Sequence, residues 1–261
     1  MKRKHFLSVF FFVEYKGKRK NIIYYMKKLY AFFFKKKIVF VAMILLFVFC
    51  VALVLSFFRK TEFVIGEVYS NFVVIDAGHG GIDGGSIGTT GVLERDLNLE
   101  YAKTLSKLLN QFCVGVVMTR TNKNGLYDAN AKNLKRSDMK KRKEIIDASQ
   151  AVAVISIHMN SFSLKSCRGA QTFYNKTNLG GKKLATLIQN QFKRDLEYAK
   201  SDSSVGDYYI TNCTEIPAVI VECGFISCPQ EEALLKTEEY KEKVCYAVLC
   251  GIIAFLEDKN I

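Results

Sequence analysis

Residues 72–80 read Phe-Val-Val-Ile-Asp-Ala-Gly-His-Gly, a short apolar run that ends in a carboxylate, glycines and a histidine. A run of this length, rich in β-branched residues and bounded by glycine, is typical of a strand covered on both faces. Similar runs recur along the chain, and amphipathic helical patterns separate them. This alternation predicts a single α/β domain in which helices flank a mainly parallel sheet of six strands.

The period of the apolar residues gives approximate bounds for the elements. On the predicted helix 96–112, Leu97, Tyr101 and Leu105 fall on one stripe, as a buried helix face requires. The Lys-Lys-Arg-Lys run at 140–143 is interpreted as a solvated helix face. The predicted strands are 72–76, 114–119, 151–158, 169–174, 207–211 and 218–222, and the predicted helices are 96–112, 137–148, 182–198 and 238–256.

The positive charge of the chain is concentrated at its N-terminus. Residues 1–37 carry 12 of the 38 Lys and Arg residues but only one acid, Glu14, and the rest of the chain is close to neutral. A basic chain could indicate nucleic-acid binding, but here the charge is stacked directly before an apolar run, which argues against a nucleic-acid partner. Residues 38–58 follow directly, with 21 residues and no charge among them. Their length matches a hydrocarbon core of about 30 Å, which predicts a transmembrane helix.

The flanking charges predict the orientation of this helix. Lysines 35–37 abut its start, whereas only Arg59 and Lys60 follow its end, which predicts a cytoplasmic N-terminus and an extracytoplasmic remainder. A cleaved signal peptide is the alternative, although the apolar stretch is long for one and ends in no small-residue cleavage site. Met26 is an alternative start. The predicted organisation is a basic cytoplasmic tail (1–37), a signal anchor (38–58), a linker (59–71) and a catalytic domain (72–261).

The chain has eight cysteines, one inside the predicted span and seven after it. They show no CxxC pair or zinc-finger spacing, which argues against a cysteine metal site. We expect most of them to be small buried apolar residues, and one or two disulfides remain open.

Two histidines and two glutamates carry the predicted chemistry. His79 follows the first predicted strand and His158 closes the third, so both imidazoles should reach the carboxyl edge of the sheet, where ligand sites form. A catalytic zinc site needs three such ligands and an open position for water. Glu94, in the loop before a helix that returns to this edge, is the best third ligand. Glu222 ends an apolar strand and is the candidate general base.

Five segments, taken together and in order, resemble the zinc-dependent N-acetylmuramoyl-L-alanine amidases. They are Ile-Asp-Ala-Gly-His-Gly-Gly-Ile-Asp-Gly-Gly (75–85), Val-Leu-Glu-Arg-Asp-Leu-Asn-Leu (92–99), Thr-Arg (119–120), Ile-Ser-Ile-His-Met-Asn-Ser (155–161) and Pro-Ala-Val-Ile-Val-Glu-Cys-Gly-Phe-Ile-Ser (217–227).

The resemblance covers about residues 72–256 and implies a twisted, largely parallel sheet. It implies that His79, Glu94 and His158 bind zinc and that Glu222 is the catalytic glutamate. The reaction implied is hydrolysis of the amide between N-acetylmuramic acid and L-alanine in peptidoglycan. Two departures are Ala77, where relatives often have proline, and Cys228, where asparagine is frequent.

Within this family, a catalytic domain on a signal anchor, with no recognisable wall-binding repeat, most resembles the germination-specific spore-cortex amidases. Their activity supplies peptide-free muramic acid for muramic δ-lactam, and the forespore intermembrane space would be the location. The small domain leaves little surface for a built-in regulatory lid, so an external activator or accessory lipoprotein is a further expectation. A vegetative autolysin or cell-separation amidase, and a non-catalytic peptidoglycan-binding domain on the same fold, are the alternatives.

Several other residues allow a second interpretation. The glycine-rich stretch 78–91 lacks the Gly-Lys-Ser/Thr of a P-loop. Ser86 stands in a formal G-x-S-x-G pattern, but it lies ten residues past the predicted strand, unlike a serine-hydrolase nucleophile. Arg95 and Arg120 could steer substrate carboxylates or form structural salt bridges, and Asn160 could orient substrate or cap a turn.

Overall fold

The computed structural model describes residues 71–258 without a gap and, before them, residues 24, 26–28, 30, 32, 34, 40 and 43–52. The chain divides into two compact units, Met1–Val64 and Ile65–Ile261. In the first unit every described residue is helical. Among the residues described, no helix combines the length and the apolar character that a membrane crossing requires.

The predicted organisation of the N-terminal region mostly falls outside the described residues. The predicted span 38–58 extends past residues 43–52 at both ends, and the predicted linker 59–71 is described only at its last residue. The anchor, its orientation and the domain borders therefore stay predictions.

The second unit contains one six-stranded sheet, as predicted. Its order is β2-β1-β3-β6-β4-β5, and every neighbouring pair is parallel except β4 and β6, which are antiparallel. The strands are β1 (Phe72–Ala77), β2 (Gly115–Met118), β3 (Ala153–Asn160), β4 (Gln171–Tyr174), β5 (Ser204–Val205) and β6 (Ala218–Phe225).

Helices cover both faces of this sheet. In residues 71–258 they are α1 (Glu94–Gln111), α2 (Leu134–Ala148), α3 (Leu179–Asp195), α4 (Tyr209–Asn212), α5 (Pro229–Leu235) and α6 (Glu238–Glu257). The helices predicted from periodicity correspond to α1, α2, α3 and α6. The short helix α5 was not predicted. Its first turn contains Pro229 and the acidic residues Glu231 and Glu232, which are typical of a helix start.

Strand residues alternate between two buried clusters. Val73, Ile75 and Ile155 point to the larger cluster, which packs against α1, α3 and α6. Val74 and Val154 point to the smaller one, where Ile146 of α2 and Ile210 of α4 cover the sheet. Burying one such side chain contributes about 1.5–3 kcal/mol. Both faces are therefore packed, which explains why these strands are continuous apolar runs.

The second face of the sheet changes character towards the carboxyl ends of its strands. After Val74 comes Asp76, after Val154 come Ser156 and His158, and after Ile220 comes Glu222, because alternate residues share a face. The same strands thus provide an apolar core at one end and polar side chains at the other.

The predicted strand 207–211 is wrong. Its place at the sheet edge is taken by β5, and residues 209–212 form α4. Local polar contacts favour the turn: the Tyr208 carbonyl accepts hydrogen bonds from the backbone N–H groups of Thr211 and Asn212, and the Asn212 side chain donates to Asp207 at 2.6 Å. Such side-chain contacts compete with strand pairing. The turn also directs Ile210 into the smaller cluster.

The cysteines show no disulfide. All eight lie among the described residues and all are free. The expectation that they are buried holds for three, Cys223, Cys228 and Cys245, whereas Cys50 and Cys113 are exposed and the other three are partly buried.

Candidate metal centre

The three predicted metal ligands lie together at the carboxyl edge of the sheet. His79 follows β1, His158 belongs to β3, and Glu94 is the first residue of α1 rather than a loop residue. One ligand atom from each lies within 4.8 Å of the other two. Glu94 Oε1 is 3.2 Å from His79 Nε2 and 2.9 Å from His158 Nδ1.

These distances fit a zinc ion. Ligand atoms held tetrahedrally at about 2.1 Å from one ion lie roughly 3.4 Å apart. Two imidazoles and one carboxylate also form a common ligand set of catalytic zinc sites. The site is therefore a candidate zinc centre by both geometry and donor chemistry.

A close backbone approach makes room for His158. A Cβ atom built on Gly78 would lie 2.3 Å from both Cε1 and Nε2 of His158, so only glycine is compatible with this imidazole position. The next residue, His79, has a φ of 61° in the left-handed region, which L-residues rarely adopt. The Gly78–His79 turn thus brings one histidine beside the other, with ring centroids 5.0 Å apart.

Asp83 fixes the orientation of His79. Its Oδ2 lies 3.0 Å from Nδ1, the ring nitrogen opposite the one that faces Glu94. Metal-binding histidines commonly donate their second ring N–H to a carboxylate, which holds the ring and its tautomer. Burial alone would lower the pKa of His79, but hydrogen bonds to Glu94 and Asp83 raise it overall.

Glu94 is buried and is held at several points. Its Oε2 accepts the backbone N–H of Ser86 at 2.8 Å, and its Oε1 accepts that of Met159 at 3.2 Å. Burial alone would raise the pKa of Glu94, but hydrogen bonds to His158 and His79 outweigh it and hold the pKa well below its usual range. The carboxylate is therefore charged, as a metal ligand must be.

Glu222 stands beside His158, since the two residues are register partners on β6 and β3. Both strands continue past their predicted ends, to Asn160 and Phe225, and a bulge lies between His158 and Asn160. The Glu222 carboxyl is buried, and its Oε2 finds no hydrogen-bond partner among the described residues. Burial raises the pKa of Glu222 to about 7, with His158 opposing the shift.

A buried ion pair lies below the site and was not predicted. Asp76 accepts hydrogen bonds from Arg142 at 2.5 Å, Thr119 at 2.7 Å and Ser156 at 2.6 Å. The interpretation of run 140–143 as a solvated face is therefore wrong for Arg142, whose exposure is 1%, and holds for Lys140 and Lys141. The sequence feature that could have identified Asp76 is a charged residue at the end of an apolar strand.

The remaining candidates have structural contacts. Arg95 donates to the carbonyl of Gly81, and Arg120 donates to backbone carbonyls inside the fold. The Asn160 side chain accepts the N–H of Ser161, as a turn cap does. Ser86 lies in the loop between β1 and α1, away from any strand-to-helix elbow, and its backbone binds Glu94.

An open cavity of about 390 Å³ lies next to the histidines. His79 and His158 contribute to its wall, and α2 provides Lys135 and Met139. Tyr127 completes this part of the lining. The cavity therefore opens beside both histidines on the α2 side, and neither Glu94 nor Glu222 contributes to its wall.

Comparison with known proteins decides the family. The sequence profile of the family described as N-acetylmuramoyl-L-alanine amidase (Amidase_3) matches residues 73–254. This chain belongs to that family. The resemblance predicted from the motifs is confirmed, and so is the enzyme class, N-acetylmuramoyl-L-alanine amidase.

Individual relatives agree with this assignment. The chain is 34% identical over 193 residues to a germination-specific N-acetylmuramoyl-L-alanine amidase of Bacillus subtilis, which covers 72% of this chain and 81% of the relative. It is 29% identical to the amidase LytC of the same organism, over 74% of this chain but 36% of LytC.

Solved structures share the fold. The CwlD amidase from Clostridioides difficile, solved in complex with the GerS lipoprotein, matches with a TM-score of 0.69 and 34% identity, over 72% of this chain and 98% of CwlD. The catalytic domain of CwlV from Bacillus (Paenibacillus) polymyxa var. colistinus matches with a TM-score of 0.64 and 28% identity, over 72% and 98%. The mainly parallel six-stranded sheet flanked by helices is thus the architecture of these amidases.

Proposed function

We propose that this amidase hydrolyses the bond between N-acetylmuramic acid and L-alanine in peptidoglycan with a zinc ion held by His79, Glu94 and His158. The observation that carries the proposal is that ligand atoms of these three side chains lie within 4.8 Å of one another. A zinc ion bound there would lower the pKa of a water ligand towards about 7 and polarise the scissile carbonyl.

In this proposal Glu222 moves the proton. Its buried Oε2 has no hydrogen-bond partner among the described residues and Glu222 is the register partner of His158, so the carboxylate is placed to accept a proton from water at the metal centre. The same oxygen would then donate that proton to the nitrogen of the departing L-alanine. Asp83 keeps the His79 ring in place throughout, through its contact with Nδ1.

The test uses the purified full-length chain and peptidoglycan, with release of stem peptides measured by mass spectrometry. We expect Glu222→Gln to keep one zinc per chain and to lose at least about a hundredfold in turnover, since general acid–base catalysis contributes about 10²–10⁴-fold. Glu215→Gln, an exposed glutamate before β6, is the matched control and should retain activity. Normal turnover in Glu222→Gln would contradict the assignment of the base.

We propose further that the substrate is spore cortex and that the product is peptide-free muramic acid for muramic δ-lactam. The supporting observation is that the germination-specific relative is matched over 81% of its length, against 36% for LytC. The matching fold of CwlD in its complex with GerS supports an accessory lipoprotein as partner. In this proposal residues 38–58 anchor the chain and the catalytic domain lies outside the cytoplasm, in the forespore intermembrane space.

The cortex role is tested by muropeptide analysis of spores from a strain whose only copy of this protein carries Glu222→Gln. We expect muramic δ-lactam to disappear while the vegetative wall is unchanged. Normal δ-lactam together with an altered vegetative wall would instead favour a vegetative amidase.

A further inference from the structure

Three successive backbone carbonyls of the His79 turn each accept a hydrogen bond from an arginine. Arg142 donates to Ala77 O at 2.8 Å and to His79 O at 2.6 Å. Arg120 donates to Ala77 O at 2.8 Å and to Gly78 O at 2.9 Å. Both arginines are almost fully buried. We call Arg120 and Arg142 together the carbonyl clamp.

The clamp acts where regular strand pairing ends. Ala77 is the last residue of β1, and the chain then turns through His79 in the left-handed region. Buried carbonyls beyond the strand need donors, since an unpaired buried carbonyl is unfavourable. A guanidinium offers five donors in a rigid fork, so it can hold neighbouring carbonyls at fixed spacing, which a lysine ammonium cannot do.

The guanidinium groups are themselves fixed by other contacts. Arg142 Nε binds Asp138 at 2.6 Å, and its Nη1 binds Asp76 at 2.5 Å. Arg120 also donates to the carbonyls of Asn122 at 2.9 Å and Arg95 at 2.8 Å. The turn is therefore tied to α2 through Arg142 and to the first turn of α1 through Arg120.

We propose that Arg120 and Arg142 are positioning residues for the metal centre, which set the backbone of His79 and thereby direct its Nε2 towards Glu94. This inference rests on the proposed zinc site. For Arg120 we therefore infer a positioning role instead of substrate steering. All the carbonyls to which Arg120 donates belong to this protein's own backbone. The clamp also couples metal binding to the docking of α2.

The test compares Arg120→Lys and Arg142→Lys with Lys241→Met in the full-length protein. Lys241 is also a buried cation, but it pairs with Glu238 and Glu100, away from the His79 turn. Zinc affinity is measured by chelator competition, the cobalt-substituted protein gives visible spectra, and Tm is measured without metal. We expect zinc affinity to fall about 10–100-fold in both clamp variants, with altered cobalt spectra, and to change less than twofold in the control.

Zinc affinities within twofold of wild type in folded clamp variants would overturn the proposal, whatever their Tm. That outcome leaves the zinc site intact, whereas a wild-type chain that binds no zinc would overturn both proposals. If the variants do not fold, the proposal is tested instead by amide hydrogen exchange of the wild-type protein with and without zinc. Zinc should slow exchange both at residues 78–80 and in the first half of α2, and protection confined to residues 78–80 would refute the coupling.

Discussion

The carboxyl of Glu222 should make the stability of the metal-free protein depend on pH. It is buried, one of its oxygens has no partner among the described residues, and burial raises its pKa from 4.5 to about 7. The folded state therefore binds this proton more tightly than the unfolded state does. The resulting stabilisation is complete below about pH 4.5 and is lost as the pH rises through about 7.

The size of the effect follows from the shift. A difference of about 2.5 pH units corresponds to roughly 3 kcal/mol at 1.36 kcal/mol per unit. Glutamine is neutral throughout, so Glu222→Gln should lack this loss. Between pH 4 and pH 8, we expect the wild type to lose roughly 3 kcal/mol of unfolding free energy relative to the variant, or about 6–12 °C in Tm.

Urea denaturation of the metal-free full-length chain at several pH values measures this difference. Glu215→Gln, whose carboxyl is exposed, should give a curve parallel to that of the wild type. Zinc should reduce the pH dependence at Glu222, because a nearby cation favours the charged carboxylate. A constant difference between wild type and Glu222→Gln from pH 4 to pH 8 would refute the inference that this carboxyl is buried without a compensating partner.

Three further outcomes are expected. Gly78→Ala should abolish zinc binding, because its Cβ would overlap His158. Gly84→Ala should bind zinc normally, because its Cβ would meet only the Leu93 side chain, at 3.5 Å and 3.8 Å; equal zinc content in both variants would contradict the geometry. Asp83→Asn should weaken zinc binding about 10–100-fold in chelator competition, since the carboxylate facing His79 is lost. A chelator should remove activity, and added zinc should restore it; activity that persists without metal would refute the zinc assignment.

Much of the sheet could be predicted because its central strands are buried on both faces. Val73 to Ile75, Ala153 to Ile157 and Ala218 to Val221 each form an unbroken buried run, which no other element of that length explains as well. The edge of the sheet was harder to predict than its centre. At Tyr208–Asn212 the residues favour a strand by composition, but hydrogen bonds from Thr211 and Asn212 close a helical turn.

The site was predictable where a polar residue interrupts an apolar pattern. His158 and Glu222 follow buried strand residues, and parallel pairing then makes them neighbours. Arg142 could not be found this way, because it lies in a run of lysines on a helix with a solvated face. Its inward orientation is explained by its partners, which are Asp138 on the same helix and, far away in sequence, Asp76 and the carbonyls of residues 77 and 79.

Three buried carboxylates at this end of the sheet differ in the charge that faces them, and this difference separates their roles. Burial would raise the pKa of Asp76, but Arg142 lowers it to about 2, so this group stays charged and structural. Two imidazoles hold the pKa of Glu94 low, which suits a metal ligand. Of these three, Glu222 alone has an oxygen with no hydrogen-bond partner among the described residues, and burial raises its pKa to about 7. Of the three, only Glu222 has a pKa raised towards neutral pH in the metal-free protein, and this difference in surroundings supports its proposed role as base independently of the family motif.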